Sequence, residues 1–187
     1  MVQPATQPSA NASVAGPVLL VVMGVAGCGK SSLGLAVAED LGLPMIEGDA
    51  HHSAASVAKM SQGIALTDAD RAGWLNRLAA LLGEAHQRGA GTVLSCSALK
   101  RAYRERLRAD LPAGALRFLW LELSPAEALR RVSQRGSHFF SANLVDSQFA
   151  ALESPLGEPG VLRLDATKPL VSLRAQVAAW LAEPAPA

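Results

Sequence analysis

The sequence lacks a surplus of charge of either sign. Seventeen Lys and Arg face sixteen Asp and Glu, a net +1. That excludes a broad electrostatic footprint for nucleic acid or for an acidic membrane surface, so anion binding is expected to be local. Aromatic residues are scarce, at 4%, which argues against stacking platforms for single-stranded nucleic acid. There are only two cysteines, Cys28 and Cys96, with no CxxC pair and no Cys/His spacing of a zinc site. A reducing compartment follows from that usage. No apolar run approaches the roughly 20 residues that span a bilayer. Met1 to Gly16 carries no charged side chain and is rich in Ala, Pro, Ser and Gln. It lacks the basic start and apolar run of a signal peptide. It reads as a disordered extension, with residues 17–187 forming one domain in the cytoplasm and no nucleic-acid or membrane partner.

What is present is a regular alternation. Pro17–Met23 (PVLLVVM) is an apolar, β-branched run without alternation, as in a strand buried on both faces of a parallel sheet. Further strands are expected at Met45–Glu47, Thr92–Ser95, Leu116–Leu123 and Val161–Leu164. Helices are expected at Lys30–Leu41, Asp68 to about Gly89, Ala98 to about Asp110, about 125–135, Asn143–Leu152 and Leu170–Leu181. Ser124-Pro125-Ala126-Glu127 reads as a capping box opening one of them. Strand–helix alternation predicts an α/β fold, a three-layer sandwich around a parallel sheet of about five strands with right-handed crossovers. Ligands in such folds bind at the carboxyl ends of strands. The unusual residues fall there, at Gly24–Ser31, at Asp49 and His52, and at Ser95–Lys100.

Gly24-Val25-Ala26-Gly27-Cys28-Gly29-Lys30-Ser31 fits G-x-x-x-x-G-K-[ST] in full, with a strand before it and a helix after it. Glycines let the backbone curl so that successive N–H groups converge on phosphate oxygens, and the helix presents its positive N-terminus to the same anion. Lys30 is expected to bridge the β- and γ-phosphates of ATP, and the Ser31 hydroxyl to ligate Mg²⁺, with Ser32 beside them. Cys28 sits near Lys30 and a helix N-terminus, conditions that can lower a thiol pKa, although a small residue tolerated at a variable position is the simpler reading. No NKxD guanine-reading motif is present, and no strand ends in the hydrophobic-Asp arrangement of a Walker B site. The pattern therefore points to a small ATP-dependent kinase.

Further strings narrow the class. Gly48-Asp49-Ala50-His51-His52, then Lys59-Met60, Gly63, Leu66, Asp68, Asp70-Arg71 and Trp74-Leu75, resemble the gluconokinase family. So do Ser95-Cys96-Ser97-Ala98-Leu99-Lys100-Arg101-x-Tyr103-Arg104, His138-Phe139, and Ser147-Gln148-Phe149 with Leu152-Glu153. The resemblance runs from about Val18 to Asp165. It implies a nucleoside-monophosphate-kinase-like fold and transfer of phosphate from ATP, with Mg²⁺, to D-gluconate. The family has His-Pro where this chain has His52-Ser53, Asn where Ser56 stands, and Gly-His-Phe where Ser137-His138-Phe139 stands. Many relatives are dimers, so a homodimer is the assembly implied.

On this reading Asp49 takes the proton of the attacking hydroxyl. His52, Ser97 and His138 are candidates to touch the polyol, and Lys59, Arg71, Lys100 and Arg104 to hold its carboxylate. Arg131 and Arg135, four apart on one helix face, are expected to neutralise the phosphoryl group in transfer. Asp165-Ala166 falls where related kinases contact adenine through backbone. Two mobile parts are expected, an acceptor-binding segment at about 49–75 and a lid at about 136–146. Two alternatives stay open. One is another small-molecule kinase of this fold, such as shikimate kinase, which lacks the SCSALKR string. The other is a nucleotide-binding regulatory protein that has lost catalysis.

Overall fold

A computed structural model describes residues 16–134 and 142–183. Its sheet has five parallel strands in the order β2-β3-β1-β4-β5: β1 (Leu19–Met23), β2 (Met45–Glu47), β3 (Thr92–Ser95), β4 (Leu116–Glu122) and β5 (Val161–Asp165). Seven α-helices accompany it among the described residues: α1 (Lys30–Leu41), α2 (Ala54–Ser61), α3 (Asp68–Gln87), α4 (Arg101–Arg108), α5 (Pro125–Gln134), α6 (Ala142–Ala151) and α7 (Leu170–Ala182). No helix among the described residues is long and apolar enough to cross a membrane.

The layers follow from the two-residue period of the strands. All five residues of β1 are buried. Leu20 and Val22 point to one face, where Leu33 and Val37 of α1 and Leu173 and Val177 of α7 cover them. Leu19, Val21 and Met23 point to the other face, packed under Trp74, Leu78 and Leu82 of α3 and Leu107 of α4. A central strand buried on both faces cannot alternate polar and apolar residues, which is why PVLLVVM reads as a continuous run. Each fully buried Leu or Val on these faces contributes about 1.5–3 kcal/mol.

The strand order places the crevice. From β1 the chain leaves through α1 on one face, and from β3 it leaves through α4 on the other. The two strands are neighbours, so the loops after them diverge and open a gap between their carboxyl ends. Gly24 N–H, just after β1, reaches across to the carbonyl of Ser97, just after β3, at 3.3 Å.

Several local expectations change. The stretch Gly48–Thr67 contains a 3-10 turn over Gly48–His51 and the helix α2, neither of which the sequence pattern suggested. Ser53 caps α2: its Oγ accepts from Ser56 N–H at 3.1 Å and donates to Ser56 Oγ at 3.0 Å. Two positions at which the chain departs from the pattern it resembles thus pair with each other. The basic helix expected from Ala98 starts only at Arg101, because Ala98 is held at a φ of +44°. The capping box expected at Ser124 is half formed. Ser124 Oγ accepts from Glu127 N–H at 3.3 Å, but the Glu127 carboxylate turns to Arg130 and Arg131, each at 2.7 Å. Those hydrogen bonds, Arg130 first, hold its pKa down at about 2. Of the expected lid, 136–141 lie outside the described residues. The remainder is the start of α6, where Leu144 and Val145 are buried and so form part of the packed body.

Candidate functional site

The loop after β1 is shaped by its glycines. Gly24, Gly27 and Gly29 have φ of +141°, +80° and +97°. A Cβ on Gly24 would stand 2.6 Å from the Leu121 carbonyl oxygen and 2.8 Å from Cys28 Sγ, so no larger residue fits between β4 and the loop. Gly29 leads directly into α1, whose N-terminus has no side-chain cap and no acidic residue in its first turn. Its first N–H groups and positive dipole end are left for an anion. Lys30 folds back across the loop, Nζ to the Val25 carbonyl at 3.1 Å. The arrangement is a concave nest of N–H groups with the Lys30 cation at its edge, and it fits a polyphosphate.

Two clefts meet at this loop. The first is lined by Ala26, Gly27, Gly29, Lys30, Ser31 and Ser32 on the loop side, and it continues to Asp49, His52, Arg71, Trp74 and Ser97. The second lies behind the loop, against Cys28, Arg131, Ala166 and Lys168. Arg131 spans from Glu127 to the Ala166 carbonyl, to which Nη2 donates at 3.0 Å.

The far wall of the first cleft is built on Gly48. Its missing Cβ would lie 2.3 Å from the Ser95 carbonyl oxygen, so the turn after β2 can press against β3. Its carbonyl accepts from Trp74 Nε1 at 2.8 Å. Trp74, 4% exposed, is the platform for His52: the rings stack with centroids 4.2 Å apart and 16° between planes. His52 Nε2 is 3.9 Å from Asp49 Oδ1, and its Nδ1 is buried without a hydrogen-bond partner among the described residues. Burial pushes the His52 pKa below its ordinary value; Asp49 opposes this and Arg71 adds to it. Arg71 donates Nη1 to the Leu66 carbonyl and lies 5.9 Å from the Tyr103 ring centre.

Structure thus gathers Lys30, Ser31, Asp49, His52, Arg71 and Ser97 on one cleft. Other expected contacts go elsewhere. Lys59 is bound to Asp70 at 2.6 Å, and Lys100 to both oxygens of Asp68 at 2.8 Å. Neither lines the cleft. Both aspartates are held below the usual carboxylate range, chiefly by those lysines, and Asp70 titrates at about 2. Arg104, expected on the acceptor, is a correction: it is fully buried and its guanidinium is spent on Glu158 and on the carbonyls of Ala98 and Leu99. The suggestion of an acidic Cys28 thiol is also corrected. The side chain is buried, and desolvation outweighs the nearby Lys30, raising its pKa. Arg135 and His138 lie outside the described residues.

Residues that motif reading did not assign to the site are Met60, Leu66, Trp74, Val132 and Gln148. Gln148 accepts from Ala26 N–H at 2.6 Å. Its signal in the sequence is the Ser147-Gln148-Phe149 string, which carries a resemblance but no chemistry of its own.

A phosphate nest at the switch point of a parallel sheet, with an acid, an imidazole and an arginine facing it across one cleft, defines a P-loop small-molecule kinase. The family model described as an AAA domain matches residues 19–159. The chain is 46% identical to a gluconokinase of Gluconobacter oxydans over 153 residues, 81% of this chain and 84% of that one. A crystal structure of a gluconokinase from Sinorhizobium meliloti superposes with a TM-score of 0.75 at 42% identity, covering 88% of this chain and 95% of that one. An unliganded sugar kinase from Janibacter gives 0.82 at 39% identity, covering 88% and 94%. This chain belongs to the gluconokinase family.

Proposed function

We propose that the protein transfers the terminal phosphate of ATP to a hydroxyl of D-gluconate, giving 6-phospho-D-gluconate and ADP. The observation that carries this is the shared cleft, with the anion loop at one end and Asp49, His52 and Arg71 at the other.

Each side chain has a distinct task. The loop N–H groups and Lys30 hold the phosphate chain and offset the charge that spreads over its oxygens in transfer. Asp49, 60% exposed at the mouth of the cleft, receives the hydroxyl proton as the oxygen attacks phosphorus and ADP leaves. Arg71 keeps guanidinium N–H groups beyond the one given to Leu66, suited to the gluconate carboxylate. His52, its Nδ1 buried and its pKa lowered by burial, turns Nε2 to the Asp49 side, where one polyol hydroxyl can reach it. Ser97 adds a hydroxyl on the β3 side. Arg131, which lines the second cleft behind the loop, joins the nucleotide side.

The described residues contain no cluster of three or more His, Cys, Asp or Glu that could cage a metal. The Ser31 hydroxyl and the Asp49 carboxylate share the cleft instead. That donor set fits Mg²⁺, which keeps most of its waters and is carried largely by substrate phosphates. When bound it neutralises phosphate charge. Among the alternatives, the acceptor decides. A coupled ADP-release assay over a panel of polyol acids is expected to show turnover with gluconate; turnover only with another acceptor rejects this substrate. A cytoplasmic homodimer is the assembly the resemblance implies, and sedimentation velocity tests the stoichiometry.

A further inference from the structure

Gln148, in the second turn of α6, lies against the phosphate loop. Its Oε1 accepts the backbone N–H of Ala26 at 2.6 Å, a contact between segments 122 residues apart. A backbone N–H can be met only by an acceptor, so this bond fixes the side-chain amide with its oxygen on the loop and its NH₂ turned away. Among the described residues that NH₂ donates to nothing, while Gln148 lines the same cleft as Lys30, Ser31 and Asp49. It is thus a neutral double donor tethered to the anion nest itself.

We propose that Gln148 is a catalytic residue: with its oxygen anchored on Ala26, it presents its NH₂ to the oxygens of the phosphoryl group in transfer. Tethering to the loop, rather than to the acceptor wall, sets its distance from the phosphate chain and not from the polyol. A neutral donor complements Lys30, because it stabilises oxygen charge without competing for the proton that Asp49 takes. The inference rests on the kinase reading above. The bland alternative is that Gln148 only pins α6 to the loop.

Gln148→Glu, which keeps an acceptor but adds a charge, and Gln148→Met, which removes the donor and adds none, together separate the two. A carboxylate still accepts from Ala26 N–H but has nothing to donate. Calorimetry at pH 8 with magnesium and a non-hydrolysable ATP analogue, and separately with ADP, reads the contact without turnover. The Glu variant is expected to keep its Tm and the wild-type amide shift of Ala26. It loses affinity for the triphosphate by about 10- to 100-fold relative to ADP, and kcat falls by at least as much, since hydrogen bonds to charged groups are the strong ones. An unchanged triphosphate-to-ADP ratio and unchanged kcat overturn the proposal. Gln148→Met is expected to show the same loss of triphosphate-to-ADP discrimination without an added charge, and retention of wild-type discrimination by it, with loss only in the Glu variant, assigns that loss to charge repulsion and overturns the proposal. Wild-type protein inactive on gluconate instead refutes the proposed acceptor, and the binding ratio still judges Gln148.

Discussion

Arg104, with no exposed surface, donates through Nε to both carboxylate oxygens of Glu158, at 3.0 and 3.1 Å. Its Nη1 donates to the carbonyls of Ala98 and Leu99, at 2.9 and 3.0 Å. The ion pair thereby holds the loop after β3, including Ala98 at a left-handed φ of +44°. That loop carries Ser97, whose carbonyl receives Gly24 N–H. A residue the sequence offered as a ligand is a clamp on the floor of the site.

Arg104→Met is therefore expected to lower stability by about 1.5–3 kcal/mol, because Glu158 keeps Arg108 at 3.0 Å but loses its Arg104 hydrogen bonds, and the Ala98 and Leu99 carbonyls lose their donor. Urea unfolding at pH 7 measures it. Burial pushes the Glu158 pKa up, but the hydrogen bonds from Arg104 and Arg108 outweigh it, leaving the carboxyl below its ordinary 4.5. A carboxyl depressed in the fold contributes stability above its unfolded value and loses it as pH falls below that value. The cost of Arg104→Met is expected to shrink from pH 7 toward pH 3.

Lys30→Ala is expected to abolish turnover and to weaken nucleotide binding, since it removes the cation at the mouth of the nest. Asp49→Asn keeps shape but accepts no proton, so kcat is expected to fall by about 10²–10⁴-fold with nucleotide affinity nearly unchanged. Steady-state kinetics with nucleotide calorimetry separates the two, and equal kcat for Asp49→Asn and wild type refutes the base assignment.

Gly48→Ala drives a methyl group to 2.3 Å from the Ser95 carbonyl oxygen and 3.4 Å from Leu78 Cδ1. The turn must move off β3, taking Asp49 and the anchor of Trp74 with it. A loss of about 1–3 kcal/mol is expected, together with a rise in KM for gluconate larger than that for ATP.

His52 titrates below its usual value because it is buried against Trp74. The unfolded chain then takes up this proton first as pH falls. Stability contributed by the neutral ring is full above an unfolded value of about 6.5 and is lost as pH drops through the lower folded pKa. His52→Gln is expected to reduce the drop in Tm between pH 7.5 and pH 5.5; the same drop in both proteins removes His52 from the acid response.

Cys28 and Cys96 are both buried, and desolvation raises both thiols, Cys96 to about 12. Iodoacetamide at pH 8 is expected to modify the folded protein far more slowly than the urea-unfolded chain. Mild peroxide should leave nucleotide affinity unchanged.

Most of the sheet was legible because its signals are local. A β-branched run, a turn of glycines and an amphipathic helix each announce themselves within a dozen residues, and α1, β2 and β3 fall on the boundaries expected. The helix α2 was not legible. Ala54–Ser61 has no strong apolar stripe, and its start depends on Ser53 finding Ser56. The sequence favoured Arg71, which faces the cleft, through its place in Asp68-Ala69-Asp70-Arg71 ahead of Trp74, but it could not show that Lys59, Lys100 and Arg104 do not face it. All four are basic residues within motif strings, and their difference lies in the partners they meet: Asp70 is eleven residues from Lys59, Asp68 thirty-two from Lys100 and Glu158 fifty-four from Arg104.

By itself, then, the chain order determined the phosphate nest, the parallel sheet and the family, because hydrophobic periodicity and backbone freedom act between near neighbours. Only the folded structure decided which charges remain available to a substrate. Ion pairing depends on distance in space, and residues far apart in sequence become neighbours only once the sheet has brought β3, α3 and the segment before β5 together.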